Sequence, residues 1–185
     1  MTVKIVVIGT SLGGFSALKL LLGKLPPEFP VPIAIVQHRH KESHTTLAGY
    51  LQPKVALPIQ EVEDKDEILP GRIYLAPADY HLLVEPGYFT LSTDEPVCYA
   101  RPSIDVLFES AADVFGDRVL AIVLTGANQD GAQGAAVIKA RGGRVIVQDP
   151  TTAESAVMPK AVIAATPVDA IVPLESISST LLSYF

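Results

Sequence analysis

The chain has no tryptophan, a single cysteine, and few charged side chains, with Lys, Arg, Asp and Glu filling only 18% of its 185 positions. Each shortage excludes something. Cys98 alone can neither close an intrachain disulfide nor supply a zinc framework, so nothing argues for an oxidising compartment and a reduced cytoplasm is the expected location. Basic residues are in deficit, 14 against 20 acidic ones for a formal charge of −6, and they form no stripe. Nucleic acid is therefore not an expected partner, since its binding rests on Lys and Arg neutralising phosphates. Long hydrophobic runs are missing as well: no stretch reaches the roughly 18 apolar residues of a membrane-spanning helix. The opening MTVKIVVIG is short, lacks a small-residue cleavage site and leads straight into a glycine loop, so no secretory leader is expected.

What the chain does have is apolar residues, 49% of the total, enough to bury a sizeable core without staples. They fall in short β-branched runs (VKIVVIG, VPIAIVQ, RVLAIVLTG, GRVIVQD) that are apolar at nearly every position. Such runs fit strands buried on both faces of a parallel sheet, and they alternate with helix-like segments. Helices are expected from about Gly13 to Lys24, ended by Pro26-Pro27, then near His44 to Leu51, Ser103 to Phe115, Ala132 to Arg141 and Leu174 to Leu182. In the middle, RIYLA reads as a strand, and HLLVE and YFTLS around Pro86-Gly87 read as a tight hairpin. The expected fold is a doubly wound α/β domain: a mainly parallel open sheet, helices on both faces and an antiparallel hairpin at an edge. With no low-complexity linker and no repeat, residues 1–185 are expected to form one domain. The acidic run Glu61 to Glu67 is read as a solvated turn rather than a cation site.

Three of the strand patterns break off at residues that hydrolytic chemistry needs: Ser11 after KIVVIGT, His38 after PIAIVQ, and Asp130 just beyond VLAIVLTG. Ligands gather at the carboxyl ends of strands in open parallel sheets, so one rim would hold a nucleophile, a base and an orienting acid. Ser11 lies in Gly9-Thr10-Ser11-Leu12-Gly13-Gly14, a turn whose glycines permit sharp geometry beside a helix start. The plainer alternatives are a helix cap for Ser11, a structural hydrogen bond for His38 and an N-cap of the following helix for Asp130. A dinucleotide site also uses strand, glycine turn and helix. Here, however, Ser11 replaces the middle glycine of G-x-G-x-x-G, and Gln37 and His38 stand where the second strand would end in an acid. His40 and His44 are read as a solvent-facing loop residue and a helix cap. The order Ser, His, Asp also differs from the ordinary α/β-hydrolase, where the acid precedes the histidine.

The blocks IGTSLGG, VQH, IYLAPADYHL, RPSIDVLFESAA, LTGANQDGAQG and GGRVIVQDPTTAESAVMPKAVI, in this order, resemble the catalytic domain of the chemotaxis receptor protein-glutamate methylesterases. The resemblance covers nearly the whole chain. It implies Ser11 as nucleophile, His38 as base and Asp130 as orienting acid, with no metal and no organic cofactor. It further implies hydrolysis of glutamyl γ-methyl esters on the cytoplasmic region of a chemoreceptor, releasing methanol, and deamidation of receptor glutamines by the same acyl chemistry. His81 matches a histidine that follows the family's Ala-Pro motif, for which a structural role is at least as natural as a catalytic one.

Three neighbours depart from the family pattern: Leu12 stands for the usual Thr, Arg39-His40 for Met-Pro, and Ala127-Asn128 for Met-Gly. They motivate a rival reading, a methylesterase-like fold that has lost turnover and serves as a protein-binding module. Family members commonly carry an N-terminal phosphorylatable receiver domain. None is present in these residues, so the expected regulator is a response regulator acting in trans.

Overall fold

The computed structural model describes residues 2–39 and 46–185. Seven parallel strands form one sheet: β1 (Ile5–Thr10), β2 (Ile33–Gln37), β3 (Ile59–Glu61), β4 (Ile73–Leu75), β7 (Val119–Val123), β8 (Arg144–Gln148) and β9 (Ala170–Val172). The spatial order is β3-β4-β2-β1-β7-β8-β9, with β1 in the middle, paired with β2 on one side and β7 on the other. The chain winds outward from β1 through β2, then returns across the sheet to β7 and winds the other way. The crevice at that reversal opens at the carboxyl ends of β1, β2 and β7, where ligands of doubly wound sheets bind.

Period-two alternation along the fully buried β1 sends its side chains into two cores. Val6 and Ile8 pack with α1 (Gly14–Leu22), α2 (Leu47–Leu51) and α6 (Leu174–Leu182). Ile5 and Val7 pack on the opposite face with α3 (Ile104–Phe115), α4 (Ala132–Ala140) and α5 (Val157–Ala165). The near-continuous apolar runs thus arise because every central strand is covered twice.

The hairpin β5 (His81–Glu85) and β6 (Tyr88–Ser92) is antiparallel as expected, but it forms its own two-stranded sheet and does not extend the main one. Its Leu82, Val84 and Phe89 join the core under α3, and Ser110 Oγ of that helix accepts the Val84 N–H at 3.0 Å. The expected helices agree to within a residue or two, except that α2 begins at Leu47 among the described residues. His40 and His44 lie outside the described residues. Helix α5 and strands β3 and β9 were not legible: Pro159 interrupts the helical pattern, and the two strands are three residues long with partly exposed positions instead of an apolar run.

Helices α3 and α4 meet at Gly134, where a Cβ would stand 2.6 Å from Phe108 Cβ and 3.1 Å from the Asp105 Cα. Gly134→Ala should therefore lower the unfolding free energy by about 1–3 kcal/mol, because overpacking outweighs the gain of roughly 1 kcal/mol in helix propensity. Urea denaturation checks this; unchanged or increased stability would show that the two helices separate at little cost.

Candidate active site

The β1–α1 turn is tied down by polar groups at the ends of β1 and β7. Thr10 Oγ1 donates to the Thr125 carbonyl at 2.8 Å, and the Ser11 N–H donates to the same oxygen at 3.0 Å. Thr125 Oγ1 in turn donates to the Leu12 carbonyl at 2.8 Å, while the Thr125 N–H is taken by Gln148 Oε1 at 2.9 Å. Gly13 adopts a left-handed φ of 83°, which turns the chain into α1 directly after Ser11 and Leu12. A side chain at Gly14 is blocked outright, since its Cβ would lie 1.9 Å from Gln37 Oε1.

Gln37, the last residue of β2 and only 5% exposed, joins the two strand ends that carry Ser11 and His38. Its Nε2 donates to the Ser11 carbonyl and to the His38 carbonyl, each at 2.8 Å. The His38 N–H donates to the Thr10 carbonyl at 3.0 Å. Adjacent parallel strands, cross-linked by one amide, thus deliver Ser11 and His38 to a single cleft. Among the described residues the two side chains share that cleft without a direct hydrogen bond; catalytic contacts are commonly loose before substrate binds.

His38 Nε2 lies 2.7 Å from Asp130 Oδ2, and because a carboxylate only accepts, the proton sits on Nε2. Asp130 is completely buried. Its Oδ2 also accepts the Ile104 N–H at 2.6 Å, and its Oδ1 accepts Ser103 Oγ at 2.9 Å and the Asp105 N–H at 3.0 Å. Burial alone would raise this carboxyl. The hydrogen bonds from His38, Asp105 and Ile104, with the imidazole charge behind them, outweigh it and hold Asp130 below the ordinary carboxylate range.

The plainer alternative for Asp130, N-cap of the following helix, does not hold. The N-cap position of α4 is Gly131, at φ 98°, and Asp130 caps α3 instead. The favour is returned: Asp105, in the first turn of α3, accepts the Gly131 and Gly134 N–H groups at 2.9 and 2.7 Å at the start of α4. Here burial wins over those two bonds, and with the nearby Asp130 charge it pushes Asp105 up to about 6.

His81 is buried, with Nδ1 accepting the Ser103 N–H at 3.1 Å and Nε2 facing the Glu95 carbonyl at 3.1 Å. Both ring nitrogens are thus engaged, and the residue pins the start of α3 rather than lining the cleft. The cleft, about 450 Å³, is lined by Ser11, His38, Arg39, Asp79, Tyr99, Arg101 and Asn128 among others. Arg39 is ion-paired with Glu61, and Arg101 with Asp79 at 2.8 Å. Of the departures from the family pattern, Leu12 is half exposed beside Ser11, and Arg39 and Asn128 form part of the cleft wall. One grouping of potential metal ligands occurs among the described residues, Cys98 with Asp105 and Asp130. Both oxygens of Asp130 are already occupied by donors, and burial together with the two carboxylates pushes the Cys98 thiol up, away from the thiolate a metal needs. The trio does not fit a cation.

Sequence reasoning missed Thr10, Gln37, Ser103, Asp105, Thr125 and Gln148. A signal existed for two of them: IAIVQ and RVIVQ both end apolar strands with an amide.

A carboxyl raised by burial favours the fold while protonated, and that stability is lost as pH rises from the unfolded value near 3.8 through about 6. Only Oδ1 of Asp105 receives the two backbone bonds, so Asp105→Asn keeps the acceptor and removes the ionisation. The variant should match the parent near pH 4 and exceed its stability above pH 7 by on the order of 2 kcal/mol, measured by denaturation at the two pH values. A deficit above pH 7 would show that the ionised form is the one the fold prefers.

The description of a known family, CheB methylesterase, matches residues 6–181. A Leptospira interrogans relative, provisionally named a protein-glutamate methylesterase/protein-glutamine glutaminase, is 47% identical over 96% of this chain and 93% of its own length. Named for the same two activities, a protein of Anaeromyxobacter dehalogenans is 41% identical over 97% of the chain, and one of Thermotoga maritima 36% over 97%. The chain spans only about half of these two, 52% and 53% of their lengths. The crystal structure of the Thermotoga maritima CheB methylesterase catalytic domain superposes over the full length of both chains with a TM-score of 0.95 at 35% identity. With sequence and fold agreeing from end to end, the chain belongs to the CheB methylesterase family.

Proposed function

We propose that the chain, acting as one catalytic domain over residues 1–185, hydrolyses glutamyl γ-methyl esters on the cytoplasmic region of a chemoreceptor, and deamidates receptor glutamines by the same route. The observation that carries this reading is the His38–Asp130 pair opening onto the cleft that Ser11 also lines. Relatives named for both activities support it, and so does the membership just given. No helix among the described residues is long and apolar enough to cross a membrane, and a cytoplasmic location fits the reading. A response regulator acting in trans is the proposed source of control.

Chemically, Nε2 of His38 is committed to Asp130, which leaves Nδ1 to take the Ser11 proton. Ser11 Oγ attacks the ester carbonyl, and the resulting tetrahedral intermediate expels methoxide, which leaves as methanol with the proton held on His38. Water then attacks the Ser11 acyl ester, with His38 again taking a proton, and the glutamate carboxylate departs as Ser11 recovers its own. For a glutamine side chain the leaving group is ammonia. Asp130 stabilises the imidazolium at each stage and remains ionised because of its four donors.

Ser11→Ala and His38→Ala should each reduce ester turnover by about 10⁴-fold or more, and the double variant little further, since members of a triad act as a unit. Asp130→Ala should cost on the order of 10²–10⁴ in turnover. It should also lower stability, which Ser11→Ala should not, because Asp130 holds the start of α3; His38→Ala should lower stability less, through the loss of one of the four donors to Asp130. His81→Ala should change turnover by no more than about tenfold, as a peripheral pin. Methanol release from a methylated receptor fragment, with each variant's unfolding curve beside it, reads all five. Activity within about tenfold of the parent in Ser11→Ala would overturn the nucleophile assignment and point to a site elsewhere, whereas no methanol release from the parent itself would favour the binding-module alternative.

A further inference from the structure

On the α1 face of the sheet a second groove, about 540 Å³, runs along Ser16, Lys19, Leu20, Gly23 and Lys24. Ser16, Lys19 and Leu20 lie on the outward stripe of α1, and Gly23 and Lys24 continue it in the turn after the helix. Tyr50 of α2 and Lys54, in the turn after it, make the opposite wall. Gly23 keeps the walls close, since a Cβ there would stand 3.1 Å from the Lys54 carbonyl oxygen. Lys19 Nζ sits 5.8 Å from the centre of the Tyr50 ring, and Lys24 Nζ donates to the Glu175 carbonyl at 2.9 Å. None of the three lysines has a carboxylate partner among the described residues, and neither of the two clefts that Ser11 lines gathers three such cations. In a chain of net charge −6, three exposed and unneutralised cations therefore line one apolar-floored channel.

The channel is not isolated from the chemistry. It shares Ser16 with a shallower cleft that contains Ser11, Leu12, Phe15 and His38, and the Phe15 and Tyr50 rings meet at 5.7 Å where the two join. We propose that the groove is a docking exosite for an acidic stretch of the substrate polypeptide, two to three helical turns from the glutamyl ester bound at Ser11. This rests on the esterase reading and adds to it the means of choosing a substrate. From Ser16 to Lys24 the track is about 12 Å long at 1.5 Å per residue, the length of about eight residues of a helix lying alongside. Each turnover converts a neutral ester into a carboxylate, so a segment carrying several glutamates becomes a better ligand for the groove as its neighbours are processed.

The test uses two synthetic peptides of about 25 residues, each with one central glutamyl γ-methyl ester, carrying either glutamates or glutamines about eight to eleven residues away on both sides. The parent should turn over the glutamate peptide with about tenfold higher kcat/KM, expressed in KM, the combined effect expected of three exposed ion pairs. Raising salt to about 0.3 M should erase the preference. The triple variant Lys19→Glu, Lys24→Glu, Lys54→Glu should reverse the preference, while Lys160→Glu on the opposite helix layer leaves it intact. Equal kcat/KM for the two peptides with the parent, or a preference that survives the triple variant, would overturn the exosite. A capped single-residue glutamyl methyl ester, too short to reach the groove, reads the chemistry separately. Should the parent fail to hydrolyse it, the esterase reading is what falls. Fluorescence anisotropy of the same labelled peptides then still decides the groove: equal affinities overturn it, and tighter binding of the glutamate peptide upholds it.

Discussion

A single buried carboxylate organises this molecule. Asp130 has no contact with solvent, so its charge must be satisfied entirely by protein donors, and it draws them from two places. Two backbone N–H groups and a hydroxyl come from the start of α3, and an imidazole from the end of β2. To supply them, α3 must begin within hydrogen-bonding distance of the β7–α4 loop, which brings the helix layer and the catalytic rim into register. Asp105 repeats the arrangement in the other direction and holds α4 to α3. The close approach of those two helices at Gly134 is the packing counterpart of this exchange of caps.

A second set of polar groups keeps the rim itself in shape. Thr10, Gln37, Thr125 and Gln148 are all buried at the carboxyl ends of β1, β2, β7 and β8. Their side chains bond to loop backbone, so the turn that carries Ser11 is fastened from both flanking strands. Buried polar groups of this kind add modest net stability but impose geometry, because leaving any of them unpaired is costly. The result is that Ser11, His38 and Asp130, on three different loops, are held in one hydrogen-bonded frame, with Arg39 and Arg101 restrained by ion pairs along the cleft wall.

Much of this was legible in the residues. Doubly covered strands announce themselves as unbroken apolar runs, and polar residues that end such runs must lie on the rim; Ser11, His38 and Asp130 were placed on that ground alone. The unread parts have physical reasons. Strands β3 and β9 are short and partly exposed, so they lack hydrophobic periodicity, and Pro159 obscured α5. The capping of α3 by Asp130 was invisible because the donors lie some 25 residues away in sequence, at Ser103, Ile104 and Asp105. A local rule assigns a carboxylate before a helix to that helix. Here Gly131 opens α4 without a side-chain cap of its own, and tertiary contact redirected Asp130 to a neighbour.

The double duty of Asp130 has a bearing on how related chains are to be interpreted. The Ser11 side chain makes no hydrogen bond among the described residues, whereas Asp130 is tied to the start of α3 and, through His38, to the end of β2. In a lineage that abandoned turnover, selection for folding would go on preserving the aspartate, and with it the imidazole that satisfies it, while the serine drifted. Retention of the acid is thus a mark of ancestry and foldability, and of the three residues the hydroxyl is the one whose retention the fold does not explain.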